Sequence, residues 1–139
     1  MSSANKAKGT GAEDSFSVGM TGDAAFISYA ARNGWHIYKG FNGHEPCDYV
    51  VDTGTGLLKV EVKRVESLQK SDRNYYYCLI TKFDSKRFDY LFVSTPTGDY
   101  WIPASDCPKD TLSIKQVGGE YQRNINKPGK YEVFRVGSK

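Results

Sequence analysis

No stretch of this 139-residue chain approaches the ~20 consecutive apolar residues of a membrane span, and its N-terminus lacks the apolar segment of a secretory signal. Cysteine is scarce: Cys47, Cys78 and Cys107 are odd in number and far apart. No disulfide framework follows, and a reducing, intracellular setting is expected. Histidine is scarcer, with only His36 and His44. His44 and Cys47 stand at zinc-like spacing, but a structural zinc site needs about four such ligands and no second pair exists. The same two residues as a nucleophile and base lack a third group to orient them. Internal repeats are absent. What remains, with 39% hydrophobic residues and dispersed charge, is a soluble chain large enough for one core.

Charge of one sign is also missing overall, since 19 basic and 16 acidic residues leave +3. The distribution is uneven. Residues 1–52 carry four basic and six acidic groups, and residues 53–139 carry fifteen and ten. A positive surface around a small acidic spot suits a polyanion such as nucleic acid.

Residues 1–15 are rich in Ser, Ala, Lys and Gly without apolar periodicity, so a disordered tail is expected there, with residues 16–139 forming one domain. The spacing predicts a helix from about Thr21 to Asn33, with Thr21 as N-cap and Gly34 just past the end. Ala24, Ile27, Ala30 and Ala31 would share its apolar face. Asp23 would sit in the first turn, where the helix dipole favours a carboxylate. Trp35–Tyr38 reads as a strand, residues 40–46 as a loop, and residues 66–74 as a polar turn. Tyr75–Ile80 and Tyr100–Ile102 read as strands, with Thr111–Ile114 and Tyr131–Val136 as weaker candidates. Phe88–Val93 is nearly all apolar, the mark of a central strand covered on both faces.

Between these lies the stretch that carries the chemistry. Asp48–Asp52 and Leu57–Lys63 are rich in β-branched or large apolar residues, and Thr53-Gly54-Thr55-Gly56 joins them as a hairpin turn. Centring the turn on Gly54 and Thr55 puts Asp48 opposite Glu61, with Lys63 on the same face two residues on. Two carboxylates so close repel unless a cation lies between them. A divalent metal with oxygen ligands is the natural occupant, and the lysine beside it points to a positioned water or phosphate. As plain surface charges, Asp48 and Glu61 would destabilise the sheet without compensation. Asp52 competes for the role of Asp48, but this register puts it about 13 Å along the strand, where it serves better as a turn-initiating side chain.

Asp48 followed by Glu61-Val62-Lys63 after a hairpin resembles the motif of the PD-(D/E)XK nuclease superfamily, with Pro46-Cys47-Asp48 where the family name has Pro-Asp. Gly22-Asp23 opening a helix that ends at Asn33-Gly34-Trp35 fits as well. So does Phe88–Val93 running towards Tyr100-Trp101-Ile102-Pro103. Over about residues 19–105 the pattern is similar to the small homing-endonuclease and Holliday-junction-resolvase branches. The resemblance implies an α/β fold in which a mixed central sheet of four or five strands is flanked by helices, with the hairpin in its middle.

It also implies a Mg²⁺-dependent DNA endonuclease. Asp48 and Glu61 would hold the ion with the carbonyl of Val62. Lys63 would orient water and stabilise charge at phosphorus, and Asp23 would assist from the second shell or on a second ion. One site cuts one strand, so cleaving double-stranded DNA calls for a homodimer or homotetramer. Lys70, Arg73, Lys82, Lys86 and Arg87 are the candidates for phosphate contacts. A homing-type enzyme is the first reading, a junction resolvase the second, and a non-catalytic DNA-binding module the third. Tyr75, Tyr76, Tyr77 and Trp101 could stack on bases or pack in the core.

Overall fold

In a computed structural model of the protein, residues 11–39, 47–72, 75–116 and 129–138 are described. One helix, α1 (Gly11–Arg32), precedes nine strands: β1 (His36–Lys39), β2 (Tyr49–Asp52), β3 (Leu57–Arg64), β4 (Leu68–Lys70), β5 (Tyr76–Ile80), β6 (Tyr90–Thr95), β7 (Gly98–Pro103), β8 (Leu112–Lys115) and β9 (Arg135–Ser138). A six-stranded sheet runs in the order β1-β2-β3-β6-β7-β9, and β4-β5-β8 form a second, smaller sheet. The pairing of β3 with β6 is parallel and the other pairings are antiparallel. No helix among the described residues is long and apolar enough to cross a membrane.

Strand alternation divides the core in two. On β6, Leu91 and Val93 face one way and Phe92 the other. Leu91 and Val93 join Cys78 and Ile80 of β5, Leu112 and Ile114 of β8, and Tyr100 and Ile102 of β7. Phe92 joins Phe26 and Ala30 of α1 with Tyr49, Val51 and Val60 of the hairpin. The large sheet is thus covered by α1 on one face and by the small sheet on the other. Being covered on both faces is why β6 reads as a continuous apolar run.

Several expectations need correction. The helix begins at Gly11, so Thr21 is not its N-cap, and residues 11–15 are helical rather than part of a disordered tail; residues 1–10 lie outside the described residues. The buried face of α1 carries Gly22, Phe26 and Ala30, while Ala24, Ile27 and Ala31 are exposed. Phe26 decides the rotation of the helix, because an aromatic ring buries far more apolar area than an alanine. Residues 66–74 contain β4 rather than turn alone. The Tyr131–Val136 segment opens as a 3-10 turn at Glu132–Phe134 before β9. Four or five strands were expected, and the small sheet accounts for most of the excess.

The helix C-terminus matches expectation. Gly34 has φ +74°, Trp35 N–H donates to the Ala30 carbonyl at 3.0 Å, and Gly34 N–H donates to Ala31 at 3.0 Å. That is the Schellman pattern, which needs a residue tolerant of positive φ. Gly22 supports the helix–sheet contact, since a Cβ there would come within 2.8 Å of the Arg64 Cβ. At the other end of the sheet, Arg135 ties β9 to β7. Its guanidinium donates to both Glu132 carboxylate oxygens at 2.9 Å and to the buried Tyr100 hydroxyl at 2.7 Å.

Candidate active site

The hairpin forms in the expected register, with Tyr49 facing Val60 and Asp52 facing Leu57. Thr53 N–H donates to the Gly56 carbonyl at 3.0 Å, and Gly54 has φ +92° at the first central position, as a II′ turn requires. Asp52 caps the turn by accepting from Gly54 N–H at 2.9 Å. Its carboxylate is therefore committed to the turn, as the sequence suggested.

Glu61 and Lys63 lie on either side of Val62, so alternation turns both to one face of β3. They pair with Leu91 and Val93, and so share the face covered by the small sheet, whereas Val60 and Val62 face α1. The Lys63 ammonium is 3.8 Å from the Glu61 carboxylate and donates to the backbone carbonyl of Lys82 at 3.0 Å.

Asp48 enters from just ahead of β2. Its N–H donates to the Val60 carbonyl at 3.0 Å, although Val60 is the residue that Tyr49 faces. The ladder is offset at this position, and the direct opposition of Asp48 to Glu61 gives way to another arrangement. Asp48 Oδ2 accepts from the Val62 N–H at 2.9 Å. In a strand, the N–H and C=O of one residue point to the same edge, so the Val62 carbonyl points to the edge where the Asp48 carboxylate sits. β2 begins only at Tyr49, which leaves that edge of β3 without a strand partner from Val62 onward.

Electrostatically the site is short of positive charge. Burial pushes the Glu61 carboxyl up to about 7, and the Asp48 carboxylate adds to the rise. Lys63 and Arg87 oppose it without cancelling it. The Lys63 ammonium, 3.8 Å from Glu61, is held in place by the Lys82 carbonyl.

Two carboxylates and a backbone carbonyl form a set of hard oxygen donors of the kind that suits Mg²⁺. A divalent cation among them would offset the repulsion that raises Glu61, so the residues present fit such an ion. Among the described residues, no group of three His, Cys, Asp or Glu side chains could hold a metal ion. The carbonyl and water would have to complete the coordination.

The fold is similar to that of a bacterial homing endonuclease, with a TM-score of 0.61 and 18% identity over 85% of this chain and 86% of that one. The likeness is one of fold, an α/β arrangement around a mixed central sheet. The structure of Hjc, a Holliday junction resolvase from the archaeon Archaeoglobus fulgidus, aligns with a TM-score of 0.48 and 14% identity over 70% of this chain and 83% of that one. No protein-family model and no curated protein matches the chain.

Within this fold, Asp23 does not join Asp48, Glu61 and Lys63. It projects from well inside α1, on the other side of the sheet from Glu61, so the dipole of a first helical turn does not act on it. Its carboxylate is 3.9 Å from the Lys39 ammonium, and burial, with this carboxylate adding to it, raises the pKa of the neighbouring Tyr49 hydroxyl. Lys39 is a charge beside the hairpin that sequence reasoning missed. Burial lowers its pKa, but Tyr49, Asp23 and Asp48 together outweigh that and raise it. Lys39 thus feels the carboxylates of both groups. It pairs with Tyr49 across β1 and β2, a pairing that the nine residues between them conceal in the sequence.

The other missed feature is the Lys82 backbone, with φ +63° in a residue other than glycine. Such a conformation costs on the order of 1–3 kcal/mol and persists only where its surroundings impose it. Phe83, buried next to it and 6.0 Å from the Phe88 ring, anchors that turn in the core. No compositional signal announces a carbonyl turned in this way.

Of the expected phosphate contacts, Lys70 lies on β4, and Lys82, Lys86 and Arg87 are exposed around the turn beside Lys63. Arg73 lies outside the described residues, as does the loop containing His44. Trp101 is not free to stack on a base. It stacks on Tyr90 at 4.4 Å and contacts Phe26, Tyr29 and Trp35.

Proposed function

We propose that the protein is a Mg²⁺-dependent DNA endonuclease that hydrolyses phosphodiester bonds, of the site-specific homing type. One observation carries this reading. The Asp48 carboxylate, the Val62 backbone and the Glu61 and Lys63 side chains converge where β2 stops pairing with β3, and burial, with the Asp48 carboxylate adding to it, raises Glu61 to about 7. A structural ion pair would not leave two carboxylates sharing one distant ammonium. The likeness of fold to a homing endonuclease supports the same reading.

Asp48, Glu61 and the Val62 carbonyl would hold the ion. When bound, such an ion polarises a phosphate oxygen and lowers the pKa of water. Lys63 presents its ammonium on the same face as Glu61, held by the Lys82 carbonyl. There it orients the attacking water and stabilises negative charge developing at phosphorus. Asp23 acts from the other side of the sheet, holding Tyr49 and Lys39 beside the hairpin. Lys70, Arg73, Lys82, Lys86 and Arg87 bind backbone phosphates. Cutting both strands of a duplex needs two sites, hence a homodimer or homotetramer, acting inside the cell on double-stranded DNA.

The test is a cleavage assay with Mg²⁺ on linear duplex and four-way-junction DNA in parallel. The proposal expects cleavage of linear duplex at a restricted set of sites. A preference for junctions would move the reading to a resolvase, and no cleavage of any DNA with Mg²⁺ or Mn²⁺ would refute it.

A further inference from the structure

A cavity of about 400 Å³ opens beside the small sheet, away from the candidate active site. Tyr77 leads in from β5 and Tyr75 from just ahead of it, Ser113 and Lys115 line it from β8, and Lys130 and Tyr131 close it. The register explains this grouping. Tyr77 pairs with Lys115 across β5 and β8, and Cys78, Ile80, Leu112 and Ile114 point the opposite way, into the core. The small sheet thus turns hydroxyls and ammonium groups outward.

The cavity is chemically one-sided. Tyrosine and serine hydroxyls can donate, lysines only donate, and no carboxylate stands among its described lining residues. Both lysines rest on rings: the Lys115 ammonium is 4.6 Å from the centre of Tyr75, and that of Lys130 is 5.5 Å from Tyr131. Lys115 is also packed from behind, since a Cβ on Gly129 would come within 2.9 Å of its own Cβ. Two ammonium groups with hydroxyl donors and no acid suit a phosphate group, and the volume is ample for one nucleotide unit.

Its place in the fold says which phosphate. β5 runs from the cavity at Tyr77 to the turn at Lys82, whose carbonyl holds Lys63. At ~3.3 Å per residue those five steps span at most about 17 Å. At 3.4 Å of duplex axis per nucleotide, that is at most about five nucleotides.

We propose that this cavity binds a backbone phosphate of the DNA substrate, within about five nucleotides of the scissile phosphate. The proposal rests on the nuclease reading, and it adds Lys115 and Lys130 to the DNA-binding surface. The small sheet, which neither Asp48 nor Glu61 belongs to, then sets how far along the duplex the protein reaches.

The experiment measures binding of the full chain to a fluorescent linear duplex by anisotropy, in Ca²⁺ and over a range of salt concentrations, so that cleavage plays no part. Lys115→Gln and Lys130→Gln should each reduce the log–log salt slope by about 0.9, and together by about 1.8. Circular dichroism checks folding. Should Lys115→Gln fail to fold, the exposed Lys130 carries the test alone. Unchanged slopes, with the wild type binding DNA, overturn this proposal and leave the nuclease reading standing. A wild type that binds no duplex at any salt overturns both. A deoxynucleoside monophosphate serves as a second probe by calorimetry. If it binds the wild type and not Lys130→Gln while duplex slopes stay unchanged, the cavity is a small-molecule site and the assignment to DNA fails.

Discussion

Asp48 accepts a hydrogen bond from the backbone N–H of Val62 at 2.9 Å, across the end of a hairpin whose last regular pair is Tyr49 with Val60. This contact replaces the direct opposition to Glu61 that an unbroken ladder would impose. It brings the carboxylate to the free edge of β3, on the side to which the Val62 carbonyl points. Two carboxylates, of Asp48 and Glu61, and the Val62 carbonyl thereby gather at this end of the hairpin.

Removing either carboxylate tests that grouping. Asp48→Ala and Glu61→Ala should abolish Mg²⁺-dependent cleavage while keeping duplex binding in Ca²⁺, because phosphate contacts supply most of the affinity. Asp52→Ala is the control. It loses only the turn hydrogen bond to Gly54 and should still cleave, at a cost of about 1 kcal/mol in stability. Normal cutting by either of the first two variants removes the assigned site.

The raised Glu61 gives a pH signature. Its carboxyl is at about 7 in the folded chain and near the ordinary 4.5 when unfolded. Between those values the folded state binds more protons, so metal-free stability falls as pH rises from about 4.5 to about 7 and then levels off. Glu61→Gln should lack this decline and melt higher than the wild type at pH 8 without metal. Mg²⁺ should raise the wild-type melting temperature more at pH 8 than at pH 6, where protonation competes with the ion. Parallel melting-versus-pH curves for wild type and Glu61→Gln would contradict the electrostatic account.

Lys63 and Lys82 can be separated by what each substitution preserves. Lys63→Arg should fold and bind DNA yet lose on the order of 10²-fold in single-turnover rate, because a guanidinium cannot reproduce one compact point charge. Lys82→Gly keeps the positive-φ backbone and should cleave near normally at saturating DNA, with weaker binding from the lost ammonium. Lys82→Val disfavours that backbone and should lose about tenfold or more in rate. Equal rates in Lys82→Gly and Lys82→Val would show that the carbonyl does not position Lys63.

Gly22 and Phe26 test how α1 meets the sheet. Phe26→Ala should cost about 3–5 kcal/mol in chemical denaturation, since the ring is fully buried against Tyr49, Phe92 and Trp101. Gly22→Ala should cost about 1–3 kcal/mol by pressing on Arg64. An Ile27→Ala change, on the exposed side, should stay within about 0.5 kcal/mol.

Local chemistry made much of this protein legible without its structure. The glycines of the 53–56 turn set a hairpin register that holds from Tyr49 to Asp52, Gly34 closes α1, and the apolar run ending at Val93 announces a strand covered on both faces. That Glu61 and Lys63 share one face of β3 was readable because strand alternation has a period of two. Tertiary packing decided the rest. The burial of Phe26 turned α1 away from the face that its alanines suggested, and placed Asp23 across the sheet with Lys39 and Tyr49. The parallel pairing of β3 with β6, and the small sheet that brings the Lys82 carbonyl to Lys63, join segments far apart in sequence. Such contacts depend on which surfaces bury the most area together, and no local pattern of residues encodes that competition.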